Sequence, residues 1–202
     1  MAIETWISFF IFTAIITSAP GPGCILTINH ALQHGWKPTR MLIFGQESAV
    51  LIMMIIATTA AGVLTQWDTL MLALKIMGIS WLVFSAWSAW NASYSKTPVD
   101  SIPIANRLSR YVKGFVTDIT NGKAIALFVS MVPAYIDPAR PMWLQAVILT
   151  ATMVGTDTTV LLFYSVLCGR LGSMFKSPNF FKIQNRVSAI ALLLIAGKLV
   201  TS

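Results

Sequence analysis

Charge is what this 202-residue chain has least of: seven acids and fourteen Lys or Arg, 10% charged in all. A soluble domain carries roughly a quarter charged residues, so a 22.1 kDa chain with this supply cannot coat a water-facing surface. A soluble enzyme and a disordered chain are excluded on that ground. Cys24 and Cys168 are the only cysteines, too few and too far apart for a disulfide framework or a metal knuckle. Both sit in apolar segments, where a thiol packs as a small hydrophobe. There is no phosphate-binding loop, so ATP is not the energy source and no cofactor is implied. The net charge of +7 is not gathered in a patch but falls between apolar runs, which excludes nucleic acid as a partner and reads as a topology signal. What the chain has in quantity is apolar bulk: 56% hydrophobic residues, seven Trp, ten Met and a mean hydropathy of +0.73. It is an integral membrane protein with a lipid bilayer as its solvent.

A membrane-crossing helix needs about 20 mostly apolar residues. Six segments qualify, at roughly 5–31, 41–64, 69–92, 113–134, 143–168 and 184–201. Turns carry Pro, Gly or charge, as in His34-Gly35-Trp36-Lys37-Pro38, Gln66-Trp67-Asp68, Asp137-Pro138-Ala139-Arg140-Pro141 and Lys176-Ser177-Pro178-Asn179. The N-terminus lacks the positive region of a signal peptide, so the first span is expected to be retained. The sequence predicts one all-α membrane domain over 1–202, with repeat halves 1–92 and 113–202 joined by a hydrophilic connection at 93–112.

Ten Lys or Arg (Lys37, Arg40, Lys96, Arg107, Arg110, Lys113, Arg170, Lys176, Lys182, Arg186) fall on the side of connections 1–2, 3–4 and 5–6, against three (Lys75, Arg140, Lys198) on the other. The positive-inside rule puts the ten in the cytoplasm and both termini outside, in a multi-pass membrane protein. Trp6, Trp67 and Trp143 then open spans one, three and five at the outer boundary. Three spans per half with a cytoplasmic connection invert the second half relative to the first, the arithmetic of a 3+3 inverted repeat. In support, span one contains Ala19-Pro20-Gly21-Pro22-Gly23 and span two Gly45-Gln46-Glu47, while span four contains Thr120-Asn121-Gly122-Lys123 and span five Gly155-Thr156-Asp157. Each half reads as an interrupted helix followed by a helix bearing Gly-x-acid.

Glu47, Asp118, Lys123 and Asp157 lie within apolar spans. Each costs about 2.5–3.5 kcal/mol at a span centre, together roughly 10 kcal/mol, comparable with the stability of a typical fold. They must face one another or water. One lysine neutralises one carboxylate, so at least one acid is expected to be protonated in some state or to meet a wet cavity. A carboxyl that changes protonation there is a device for proton coupling. Asp118 is the most peripheral of the three acids, near the cytoplasmic end of its span, where solvent alone would explain it.

Pro20 and Pro22 remove backbone donors and push the residues before them away from helix, while Gly21 and Gly23 add freedom to turn. One proline only kinks a membrane helix; Pro-Gly-Pro-Gly takes several successive residues out of the ladder. Freed backbone within a bilayer is tolerated only where protein or a cavity meets it. Residues 19–23 are therefore expected to be unwound, with a half-helix starting near Cys24 whose exposed amides attract a carboxylate. Asn121-Gly122 with Lys123 would form the facing element. An α-amino acid needs such a set, amides or a lysine for its carboxylate and an acid for its ammonium. His30 and His34 are expected at the cytoplasmic interface, Met53, Met54, Trp81, Trp87 and Trp90 in packing or lipid anchoring, and Gly45, Ala49, Gly78, Gly155 and Ala196 at close helix approaches.

At these residues the sequence resembles the LysE/RhtB amino-acid exporters along nearly its whole length. The likeness lies in Pro20-Gly21-Pro22, His34-Gly35, Gly45, Gly114, Asn121-Gly122-Lys123-Ala124 and Pro133, with Asp157 and Asn185 similar to the homoserine/threonine branch. The family often has Asn or Asp where this chain has Gly23, and usually Pro where it has Gly122. Glu47 is not a general family feature. The resemblance implies a secondary exporter of small amino acids or derivatives (homoserine, threonine or lysine-like), proton-coupled, working by alternating access, and not an enzyme. Its partners would be a small amino-acid substrate, protons, lipid and, since small exporters often pair, a second copy in a homodimer. Two other readings stand beside it. A thiol–disulfide electron carrier would use Cys24, though residues 119–128 contain no second Cys. A metal-ion exporter would use Glu47, Asp118 and Asp157 as hard ligands, without His or Cys convergence in the spans.

Overall fold

A computed structural model describes residues 1–19, 21–64, 67–92, 106–175 and 178–201. They form eight α-helices and one 3-10 turn, and no strand among the described residues. Helices α1 (Ile3–Ser18) and α2 (Pro22–His34) are the two halves of the first predicted span. They are followed by α3 (Trp36–Leu64), α4 (Asp68–Asn91), α5 (Arg107–Ile119), α6 (Gly122–Met131) with the 3-10 turn Val132–Tyr135, α7 (Met142–Phe175) and α8 (Pro178–Thr201).

Three of these, α3, α4 and α7, are each long and apolar enough to cross a membrane. The pairs α1–α2 and α5–α6 pass the same test only together, bent by 55° and 53° at their breaks, which makes up to five spans. Helix α8 covers the sixth predicted span without a break, but Gln184-Asn185-Arg186 in its first half dilute its apolarity and it does not join that group. The chain is an all-α membrane protein. The helix α5 starts at Arg107, inside the stretch predicted as connection, because Asn106 caps it: its side chain accepts from the Ser109 amide at 2.8 Å while the Asn106 amide donates to Ser109 Oγ at 3.4 Å. The reciprocal pair satisfies two amides at the helix start. Residues 93–105 lie outside the described part, as do Gln66, Lys176 and Ser177 of the predicted turns.

Helix α3 is the axis of the packing, touching α2, α5, α6 and α7, while α4 pairs with α8 and α6. One core runs through the bundle from Phe9, Phe12 and Ile16 of α1 through Ala49, Met53, Met54 and Ala57 of α3 to Leu149 and Met153 of α7 and Ala189 and Leu192 of α8. Met53 and Met54 thus pack in the core as predicted, and Trp87, Trp67 and Trp143 are exposed on the outside of the bundle, at 65%, 64% and 70%. At the far end of α6 the chain turns on a network around Gln145, whose fully buried side chain accepts from the Asp137 amide at 2.9 Å and donates to the carbonyls of Asp137 at 2.9 Å and Arg140 at 3.3 Å.

One expectation gains detail and another needs correction. His30 is buried within the bundle, its Nδ1 2.7 Å from Thr39 Oγ1 and its ring stacked on His34 at 4.5 Å. Gly35, at φ 79°, folds α3 back against α2 so that Thr39 meets His30; the left-handed conformation there suits glycine. Gly155 is exposed, and a Cβ built there meets nothing within 4 Å, so no helix approaches it. Gly45 and Gly114 do mark a close approach. A Cβ on Gly45 would collide with the Tyr111 carbonyl of α5, and one on Gly114 with the Leu42 carbonyl of α3. Helices α3 and α5 therefore cross backbone to backbone. Substituting Gly45→Ala or Gly114→Ala is expected to lower stability by about 1–3 kcal/mol through overpacking, whereas Gly155→Ala is neutral or stabilising, as alanine is the better helix former. Thermal melting of the detergent-solubilised protein distinguishes the three.

Candidate functional site

Both helix breaks fall on one cavity. Its walls are the end of α1 (Phe12, Ile16, Thr17, Ala19), the start of α2 (Gly21, Gly23, Cys24), the α5–α6 break (Asp118, Asn121, Ala124), Val50 of α3 and Met153, Asp157 and Leu161 of α7. A pair of carboxyls, the first turn of a half-helix and an asparagine line an otherwise apolar space.

The first break has a physical anchor. Ala19 leaves the helix in an extended conformation, at φ −72° and ψ 131°, and its amide closes α1 on the carbonyls of Ile15 and Ile16 at 3.2 and 3.3 Å. The Ser18 carbonyl, deprived of a helical donor, accepts from Tyr164 Oη of α7 at 3.1 Å and from Gln184 Nε2 of α8 at 3.4 Å, and Gln184 also donates to Tyr164 Oη at 2.9 Å. Two other helices thus supply the donors that the broken ladder lacks. Pro22 opens α2, a position where its missing N–H is no loss, and the Gly21 carbonyl accepts the first helical bond from Ile25 at 2.9 Å. The amides of that first turn stand at the cavity wall with Gly21, Gly23 and Cys24. The second break is tighter and closes on itself, with Thr120 bonded to the Val116 carbonyl at 3.2 Å and Asn121 to that of Asp118 at 3.0 Å.

Each predicted site residue has a definite place or falls outside the description. Gly21, Gly23, Asn121, Asp118 and Asp157 line the cavity. Pro22 and Gly122 are exposed and lie outside its lining. Pro20 and the Lys123 side chain are outside the described residues. Asp118, near the end of its helix, is not merely solvated: it is 6% exposed, because α5 runs on to Ile119 and tucks this residue against α2 and α3. Glu47 stands behind the cavity wall, 7% exposed; Thr158 is beside it, yet neither carboxylate oxygen completes a hydrogen bond. The three carboxyls are close enough to feel one another, Glu47 interacting electrostatically with Asp157 and Asp118, and Asp157 with Asp118. Among the described residues no group of three His, Cys, Asp or Glu converges tightly enough to hold a metal ion. Cys24 lines the cavity, while Cys168 packs against Ala31 in a separate cluster.

Sequence reasoning missed the residues that hold this set in place. Gln46 is fully buried; its Oε1 accepts from Thr27 Oγ1 at 2.8 Å, which turns its Nε2 toward Gly23 and Asp118. A Cβ built on Gly23 would lie 2.5 Å from Asp118 Oδ1 and 2.7 Å from Gln46 Nε2. The bare backbone at position 23 is what lets the carboxyl and the amide reach the half-helix. Gln46 had a signal in the sequence, an amide inside an apolar span. Gln184, an amide at the edge of the sixth span, had the same signal and Tyr164 had none; the role of both exists only where Ser18 breaks off.

Fold and site together define a polytopic helical membrane protein with a polar cavity at two helix breaks. The chain belongs to the LysE type translocator family, which matches over residues 14–202. It is 25% identical over 208 residues to a homoserine/homoserine lactone efflux protein of Salmonella typhimurium, covering 100% of this chain and 98% of the relative. A membrane protein of Vibrio cholerae without an assigned function is 26% identical over 93% of this chain and 92% of its own. A cysteine/O-acetylserine efflux protein of Escherichia coli is 25% identical over 74% and 75%. No solved structure matches.

The contact at position 23 makes a testable coupling. Gly23→Ala is expected to destabilise the protein by about 1–3 kcal/mol. That penalty shrinks in an Asp118→Ala background, where the nearest obstacle is gone, by a coupling of about 0.5–3 kcal/mol. A double-mutant cycle of melting temperatures measures it.

Proposed function

We propose that this protein is a secondary active exporter of a small amino acid or amino-acid derivative, coupled to proton entry and working by alternating access. The observation that carries the reading is the single cavity into which both helix breaks open, with Asp118 and Asp157 in its walls. An α-amino acid offers a carboxylate and an ammonium. The first-turn amides of α2, with Asn121 opposite, suit the carboxylate, and Asp157 or Asp118 suits the ammonium. A carboxyl that binds the ammonium when ionised and releases it when protonated couples substrate exit to proton uptake. That exchange requires only that the group be exposed alternately to the two sides. Binding and translocation need no bond making, so the protein is read as a carrier and not an enzyme.

The relatives named for efflux of homoserine, its lactone, cysteine and O-acetylserine support a short, uncharged side chain on the substrate. Phe12, Leu127, Phe128, Met153 and Leu161 leave an apolar lining around the polar set, which favours the same choice. The spans are read as six, α8 being the last, arranged as two inverted triplets in a bacterial inner membrane with both termini outside. Vesicles loaded with labelled homoserine, threonine or lysine test the function. Homoserine or threonine is expected to leave on imposition of an inward proton gradient. Asp157→Asn is expected to reduce that efflux by at least about tenfold, a loss of more than about 1.4 kcal/mol, with the fold intact by melting. Proton-driven efflux unchanged in the variant removes the proposed role of Asp157.

A further inference from the structure

A second chamber lies toward the end of the bundle where α1 begins and α8 ends. It is open on one side and bounded by Glu4, Thr5, Ser8 and Ile11 of α1, by Ala134 and Tyr135 of the 3-10 turn, and by Ile195 and Leu199 of α8. One residue, Phe12, lines both this chamber and the central cavity. Glu4, Ser8, Phe12 and Ile16 recur every four residues and so share one face of α1. Along that face come the second chamber, then the Phe12 ring, then the central cavity and the break. The ring is held in an aromatic cluster, 6.2 Å from Phe9 and 5.8 Å from Tyr135, with Phe9 edge-on to Tyr135 at 5.0 Å. All three side chains are buried. Phe12 belongs to the first half of the chain and Tyr135 to the second, so a relative movement of the halves parts the cluster.

We infer that this chamber is a second station on the substrate's path, with Phe12 the partition between it and the central cavity. Glu4 is the one charged side chain among its described lining residues and suits the station to a cationic group such as the ammonium of an amino acid. Only the identity of what passes rests on the export reading; the partition itself can be examined without transport.

Cys24 in the central cavity is a native reporter, and Cys168→Ser leaves it the sole thiol. Membrane-impermeant methanethiosulfonates, one carrying a trimethylammonium and one a sulfonate, are applied to the face bearing the termini, located by a tag on the N-terminus. Phe12→Ala and the milder Phe12→Leu are expected to raise the rate of Cys24 modification from that face severalfold. Phe9→Ala, a truncation in the same aromatic cluster of a ring that lines neither space, leaves the rate unchanged. In the Phe12→Ala protein the cationic reagent gains on the anionic one, relative to their rates with a small free thiol, and Glu4→Gln removes the gain. No acceleration in either Phe12 variant, or equal acceleration by Phe9→Ala, overturns the partition. A preference for the cation that is missing, or that survives Glu4→Gln, overturns the cationic station. Labelling as expected in vesicles that export no amino acid refutes the export reading and leaves the partition standing.

Discussion

A helix interrupted inside hydrocarbon leaves carbonyls and amides that lipid cannot satisfy, and the rest of this structure is arranged around that constraint. A lone kink would not create a site, because the ladder resumes within a turn. Here the chain leaves the helix twice, and each departure is met in a different way. The Ser18 carbonyl is served by side chains from α7 and α8, so three elements must converge wherever α1 stops. The second break bonds back on its own last turn and needs no outside help. What neither arrangement covers, chiefly the opening turn of α2, is left facing the cavity.

The acids follow from the same geometry. Asp118 is the last buried residue before the second break, so the end of α5 delivers it to the cavity, and Gly23 gives it room at the start of α2. Asp157 arrives from the middle of α7, one helix crossing away. Glu47 comes from α3, beside Gln46, whose amide is oriented by Thr27. Four helices thus bring Thr27 (α2), Gln46 and Glu47 (α3), Asp118 (α5) and Asp157 (α7) to a region that composition alone would make uniformly apolar. Grouping them keeps the acids off the lipid, but like charges this close also disfavour more than one of them being ionised at a time.

Most of the helical plan was readable in the sequence because its signals are local. Apolar length located the spans, Pro20 through Gly23 located the first break, and Asn121-Gly122 the second. The cavity residues Gly21, Gly23, Asn121, Asp118 and Asp157 were found because acids and breakers stand out against an apolar background. What was not readable depended on contacts between distant segments. The burial of His30 follows from a partner across the Gly35 turn, Thr39. The burial of Asp118 follows from how far α5 runs before it breaks. Tyr164 is an ordinary span residue and Gln184 an amide with no visible role until packing brings them to Ser18, and Gly155 looks like Gly45 in the sequence although only Gly45 meets a neighbouring backbone. Small residues announce that an approach is permitted, and only tertiary structure decides whether it occurs.

The glycine crossing of α3 and α5 has a mechanical consequence. Gly45 and Gly114 bring two backbones together with no side chain between them, and this contact joins one half of the chain to the other. Interlocked backbones have no rotamers to readjust and no slack in which to slide. If the halves rock, they must pivot about this point, so displacement there is least and grows with distance along the bundle. The aromatic cluster of Phe9, Phe12 and Tyr135, away toward the start of α1, would then swing through the longest arc, as the free end of a pair of tongs moves most when its rivet stays still.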